Sequence, residues 1–296
     1  MMSQFFHHLI LGIQSGGIYA LVALGYTMVY GIIRLINFAH GDFVMIGAYI
    51  SIAVIPFLSA TGVPLWFCLL ISLPLCAFLG AVVERLAYKP LRRSPKLSAL
   101  ITAIAVSILL KNLAALFFGS APLPFPNTLD LPPINLAGIS VSAVTWVTVT
   151  VSVAVMAALE IFIRKSRTGL AMRAVSENPD AAVLMGINSD RTIRSTFVIG
   201  AALASIASFF YCSSYALAEP YMGTMLGLKA FIAAVLGGTG SITGAMLGGI
   251  LIGIVESFTK AYISSQLSDA VVFVILILVL LIKPSGIMGK MQREKV

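Results

Sequence analysis

The chain has 296 residues, of which 59% are hydrophobic and only 10% charged, with a formal net charge of +8 and a mean hydropathy of +1.02. A soluble domain is about 45–50% apolar and about 25% charged, so a water-soluble enzyme, a disordered chain and a nucleic-acid-binding module are excluded. What remains is an all-α polytopic membrane protein, because the apolar runs are continuous rather than alternating as in a transmembrane barrel.

A spanning helix needs about 20 apolar residues. Such runs occur in chain order at Leu9–Ile33, Phe43–Ala60, Pro64–Val83, Leu97–Phe118, Val141–Ile163, Ser195–Leu217, Leu228–Phe258 and Ala270–Ile282. They predict about eight spans in one transmembrane domain, 1–296. The opening MMSQFFHHLI has no basic segment ahead of its apolar run and does not read as a cleaved leader. His7 and His8 precede the first run, where an interfacial position is expected rather than a metal site. Cys68, Cys76 and Cys212 all lie within apolar runs and read as small packed hydrophobes.

Charge gives the orientation. Fifteen of the nineteen Lys and Arg fall in three stretches, Arg85–Lys96, Arg164–Arg194 and Lys283–Lys295, whereas Gly119–Ser140 and Ala218–Gly227 have none. Basic residues of short loops stay on the cytoplasmic side. The three stretches, the C-terminus included, are therefore predicted to be cytoplasmic and the N-terminus periplasmic.

Two runs are broken. After the first, IIRLINFAHGDFVMIGAYI places Arg34, Asn37, His40, Gly41 and Asp42 between apolar segments. The seventh is about 31 residues long and reads GGTGSITG at Gly237–Gly244. Glycine-rich backbone at membrane depth is tolerated only where protein or a water-filled cavity surrounds it. Either two re-entrant half-helices or one tilted helix with a soft middle would account for it, and the charge rule favours the first. Interrupted spans at matching places in two halves point to an inverted repeat with a pathway between them. The pathway residues expected are Asn37, His40, Gly41, Asp42, Gly237, Gly238, Gly240, Ser241, Gly244 and Glu256. Alternatively, Arg34, His40 and Asp42 form a structural polar network at a helix end.

Ion coupling would call for buried ionisable residues, and few are present. Glu160 stands four residues before Arg164, the spacing of a local ion pair. Lys111 and Lys229 are placed where a long side chain can snorkel outward. No phosphate-binding GxxxxGK[ST], no HExxH and no Cys/His cluster occurs in the chain, so neither enzyme activity nor a cofactor is expected. Energy for transport must come from an ion gradient or from another subunit.

The stretch 164–194 carries the clearest local signal. Asn178 can cap a helix, Pro179 suits its first turn, Asp180 complements the positive helix end, and Gly186 can terminate it. A helix of about seven residues results, presenting Val183, Leu184 and Met185. So short a helix is marginal alone and needs a surface to dock on, either a partner's groove or the protein's own helix ends.

The segment DAAVLMG, Asp180–Gly186, is similar to the coupling loop of ABC importer permeases, with Asp in place of the usual Glu. YALVALGYTMVYG (Tyr19–Gly31), LINFAHGDFVMIGAY (Leu35–Tyr49), TGLAMRAVSENPDAAVLMGI (Thr168–Ile187) and GLKAFIAAVLGGTGSITGAMLGGILIGIVE (Gly227–Glu256) complete the pattern. Together they resemble the LivH-type permeases of high-affinity branched-chain amino acid ABC importers over nearly the whole chain. The resemblance implies a bacterial inner-membrane permease subunit working by alternating access. Its partners would be a LivM-type second permease, two ABC ATPase subunits and a periplasmic amino-acid-binding protein, with membrane lipid around it and no nucleic acid. It assigns Asn178, Pro179, Asp180, Ala181, Ala182, Leu184, Met185 and Gly186 to ATPase coupling. Related permeases carry urea or short amides, which leaves those substrates as an alternative. A stand-alone ion-coupled transporter and a scaffold without transport are the readings from other classes.

Overall fold

The computed structural model describes residues 2–33, 37–92, 94–136, 139–283 and 285–289. Arg34, Arg93, Lys290, Arg293 and Lys295, which contribute to the polar break and the basic stretches, lie outside the described residues. Among the described residues are eleven α-helices: α1 (Met2–Ile33), α2 (His40–Thr61), α3 (Phe67–Val83), α4 (Lys96–Phe118), α5 (Ala143–Lys165), α6 (Arg167–Glu177), α7 (Pro179–Leu184), α8 (Ser189–Tyr215), α9 (Met222–Gly237), α10 (Ile242–Tyr262) and α11 (Ser268–Ile282). A π turn, Glu84–Tyr88, and a 3-10 turn, Lys89–Leu91, prolong α3. Two antiparallel strand pairs are small: β1 (Leu123–Pro124) with β4 (Leu217–Ala218), and β2 (Ile134–Leu136) with β3 (Ile139–Val141). The expected all-α membrane architecture is what the chain adopts; among the described residues seven helices are long and apolar enough to cross a bilayer, and α9 and α11 are shorter apolar ones.

The arrangement follows from which helices are apolar all round. Residues Gly16–Val29 of α1 are buried without a break, and such a helix belongs at the centre of a bundle. Neighbours α5, α8, α9 and α10 enclose it. Small residues let the closest of them approach. A Cβ added at Gly16 would stand 2.7 Å from the Cα of Ile250, one at Gly249 would stand 2.5 Å from the Cα of Ala20, and one at Gly253 would collide with the backbone of Gly16. Backbones in membranes pack this closely only along small-residue stripes.

The packing is reciprocal between two four-helix units, α1–α4 and α8–α11. The first helix of each lies chiefly on the third helix of the other, α1 on α10 and α8 on α3; α2 lies on α8 and α9 on α1; α4 flanks α2 and α11 flanks α9. This is the pattern of an inverted repeat, with α5–α7 inserted between the units. Its register differs from the sequence expectation. The partner of the break before α2 is the non-helical segment 216–221 before α9, while the glycine turn Gly238–Ser241 matches the α2–α3 turn. The sequence leaves most of segment 216–221 between the runs ending at Leu217 and starting at Leu228, where Glu219 and Pro220 read as an ordinary connection between spans, which is why nothing local identifies it as the counterpart of the first break. The run Leu228–Phe258 therefore belongs to two helices, the second of full length.

Glu84, Arg92, Asp190 and Arg194 gather at one end of the bundle together with α6 and α7; we refer to it as the basic end. Glu84 is fully buried and pairs with Arg92 and, at 3.4 Å, with Arg194. At the same end, Glu160 pairs with Arg164 at 2.5 Å as its spacing indicated.

Candidate functional site

The break before α2 is built by Asn37. Its side-chain oxygen accepts the backbone N–H of Ala39 at 3.0 Å and the hydroxyl of Tyr88 at 2.6 Å, which turns the chain into α2. His40, 1% exposed, then sits level with Gly25 of α1 and Gly200 of α8, because a Cβ at either glycine would meet its ring. Both glycines are interior to their helices, so α2 begins inside the bundle rather than at its end. Tyr26 meets the His40 ring edge to face at 4.7 Å. One residue on, Gly41 lies backbone to backbone against Gly223 and Gly227 of α9. The first turns of α2 and α9 thus meet in the interior, each with the positive end of its dipole, as in transporters whose discontinuous helices face a central site.

Asp42 follows and is buried. Among the described residues neither of its carboxyl oxygens has a hydrogen-bond partner, and its counter-ion is Lys111 of α4, with Nζ at 3.7 Å from Oδ1. Lys111 does not snorkel away as its position in the sequence suggested; at this depth the start of α2 supplies a carboxylate. Beside it, Ser107, Lys111, Thr224, Leu228 and Phe231 line a cavity of about 180 Å3 between α4 and α9.

The other expected pathway residues lie elsewhere. Gly237, Gly238, Gly240, Ser241 and Gly244 form the α9–α10 turn at the basic end. Gly237 and Gly244 abut, and Gly238 and Gly240 have φ of 109° and 88°. The Ser241 hydroxyl accepts the N–H of Gly244 at 3.1 Å. The segment 285–289 straps this turn, its N–H groups at Ile287 and Met288 donating to Leu236 and Gly237 of α9 at 2.8 and 2.9 Å. Glu256 is at the opposite end, where it accepts from Tyr19 (2.6 Å), Lys229 (2.9 Å) and Lys260 (2.5 Å). Lys229 also bonds Asp269 at 2.7 Å. Two carboxylates and two ammonium groups there tie α9, α10 and α11 together, and Glu256 and Lys260 of this group border a cavity of about 500 Å3 that Gln14, Thr145 and Ser214 also line. The sequence signals Glu256–Lys260 by its spacing of four; Lys229 and Asp269 carry no local sign.

At the basic end, α7 matches its sequence signals closely. Asn178 accepts from the N–H groups of Asp180 and Ala181, both at 3.0 Å. Pro179 occupies the first turn with Asp180, and Gly186 has φ of 81°. Ala182 is buried against the neighbouring helices, Ala181 lies on the short helix beside it, and Leu184 and Met185 are 88% and 83% exposed. The protein's own helix ends do not cover them.

The sequence profile described as the branched-chain amino acid transport system permease component matches residues 9–280. High-affinity branched-chain amino acid transport system permease protein LivH of Escherichia coli strain K12 is 44% identical over 99% of this chain and 98% of its own. The corresponding protein BraD of Pseudomonas aeruginosa is 43% identical over the full length of both. A probable branched-chain amino acid transport permease protein LivH of Methanocaldococcus jannaschii is 28% identical over 74% of this chain and 69% of its own. No solved structure matches the chain.

Proposed function

Because the chain belongs to the branched-chain amino acid transport system permease family, we propose that it is the permease subunit of an ABC importer that carries leucine, isoleucine and valine across a bacterial inner membrane. The observation that carries this reading is the near-full-length identity to LivH and BraD. In this reading the energy comes from two separate ATPase subunits, with which the lack of a phosphate-binding loop in the sequence is compatible. A second, LivM-type permease and a periplasmic amino-acid-binding protein complete the assembly. The path runs past Asn37, His40, Gly41 and Asp42, where the α2 and α9 N-termini meet. The glycines of 237–244 shape the hairpin that moves beside it, and Glu256 holds α9–α11 together. The exposed face of α7, from Asn178 to Gly186, receives the ATPase.

Uptake decides between this reading and its alternatives. Proteoliposomes holding the assembled importer, with ATP inside and binding protein outside, accumulate L-leucine, and a non-hydrolysable ATP analogue stops it. Accumulation driven by an ion gradient without ATP, or of urea in preference to leucine, would overturn the proposal.

The basic end is cytoplasmic in this reading. Cysteines substituted at Ser94 and Asn127, both exposed at opposite ends of α4, are therefore expected to react with an impermeant maleimide from opposite sides, Asn127 from the periplasm. Reaction of both from one side would reverse the topology.

A further inference from the structure

We propose that the cavity between α4 and α9 is a carboxylate-binding subsite, in which the Lys111 ammonium takes the carboxylate of a small branched aliphatic acid or amino acid. Its connection to transport rests on the reading above; the geometry stands on its own. Lys111 Nζ is 3.7 Å from Asp42, beyond hydrogen-bond distance. The pair is attracted but not locked, and a lysine has three donors to offer. Both Asp42 oxygens are sealed from the surface, so the charged group a guest meets in this cavity is the ammonium.

The surroundings select further. The α9 helix starts at the cavity with Gly223 and Thr224 and carries no acidic residue in its first turn, so its dipole adds to the positive potential. Beside the Ser107 hydroxyl and Tyr26, the rest of the wall is apolar, made by Phe38, Ile104, Leu228 and Phe231, which suits a branched hydrocarbon. At about 180 Å3 the space is below the usual range for drug-sized ligands, about 300–1,000 Å3, and fits one small solute. Asp42 has a second role. It neutralises Lys111 between passages, so that a guest must compete for the ammonium and is released readily.

The test uses the assembled transporter with Thr224→Cys on the cavity wall, the native cysteines being buried. Alkylation by N-ethylmaleimide is expected to slow in L-leucine and in 4-methylpentanoate but not in leucinamide, which lacks the carboxylate. Lys111→Gln raises the concentration needed for protection about tenfold or more, the scale of one charged hydrogen bond, and Lys111→Arg retains protection. If the pair is only a staple between α2 and α4, the double variant Lys111→Gln/Asp42→Asn regains the wild-type thermal midpoint and wild-type protection alike. As a subsite it regains the midpoint alone. Ser107→Cys provides the same measurement from the α4 side should Thr224→Cys prove unreactive. Protection by leucinamide equal to that by leucine, or protection that survives Lys111→Gln, overturns the subsite. Leucine uptake in the same preparation separates the two ideas: uptake without protection removes the subsite alone, and protection by 4-methylpentanoate without leucine uptake removes the transport reading alone.

Discussion

Leu184→Asp is expected to release the ATPase subunits from a permease that still inserts and folds. Leu184 is 88% exposed on a helix of six residues, so nothing in the permease is disturbed by the change. In the proposed complex with the ATPase the same side chain would be buried, and burying a leucine contributes about 1.5–3 kcal/mol. Losing that, and placing a carboxylate in the groove instead, weakens assembly by about tenfold or more. Pull-down of the ATPase and ATP-driven uptake should fall together. Gly186 is a second handle on the same element. A Cβ there would meet no atom within 4 Å, but its φ of 81° is left-handed, which asparagine tolerates and valine does not. Gly186→Asn should therefore couple normally and Gly186→Val poorly. Full ATPase binding and normal uptake in Leu184→Asp would remove α7 from the coupling path.

Gly253→Val is expected to act on the fold itself. The added Cβ would fall on the backbone N and Cα of Gly16, atoms that cannot rotate aside. The α1 and α10 helices must then part along their whole stripe, and α1 is the centre of the bundle. Overpacking of this kind typically costs about 1–3 kcal/mol and occasionally more; with backbone on both sides the upper end applies. The detergent-solubilised protein should show a lower thermal midpoint and a loss of the monodisperse peak in size-exclusion chromatography. Gly31→Ala is the matched control, since its nearest neighbour is the Cα of Gly240 at 3.6 Å. A Gly253→Val protein with the midpoint and elution of the wild type would show that the stripe does not hold the bundle.

Local chemistry was legible in the sequence and distant chemistry was not. The cap, the proline and the terminating glycine of α7 act within nine residues, and each takes the place its residue type implies. The Glu160–Arg164 pair is of the same kind. Asn37 with Tyr88, Asp42 with Lys111, and Lys229 with Asp269 are brought together by helices from different parts of the chain. No periodicity encodes them, so both lysines read as outward-reaching when they in fact turn to carboxylates. The inverted repeat was legible as a principle, because polar and glycine breaks interrupt long apolar runs. Its register was not, because 216–221 reads as an ordinary connection between spans and the glycine turn only looks like a break at membrane depth. Of the ten residues expected along the path, the structure gathers Asn37, His40, Gly41 and Asp42 and distributes the rest between the two ends.

The pairing of α1 with α10 also sets a timetable for biosynthesis. About 210 residues separate the end of α1 from the start of α10. At about 5–20 residues per second, the first helix waits on the order of ten to forty seconds for the surface it is shaped to meet. During that interval its glycine stripe faces lipid, the insertion machinery or a chaperone, with no complementary stripe yet made. A message truncated before Ile242 leaves that stripe open permanently, giving a membrane protease a lasting mark of an unfinished chain.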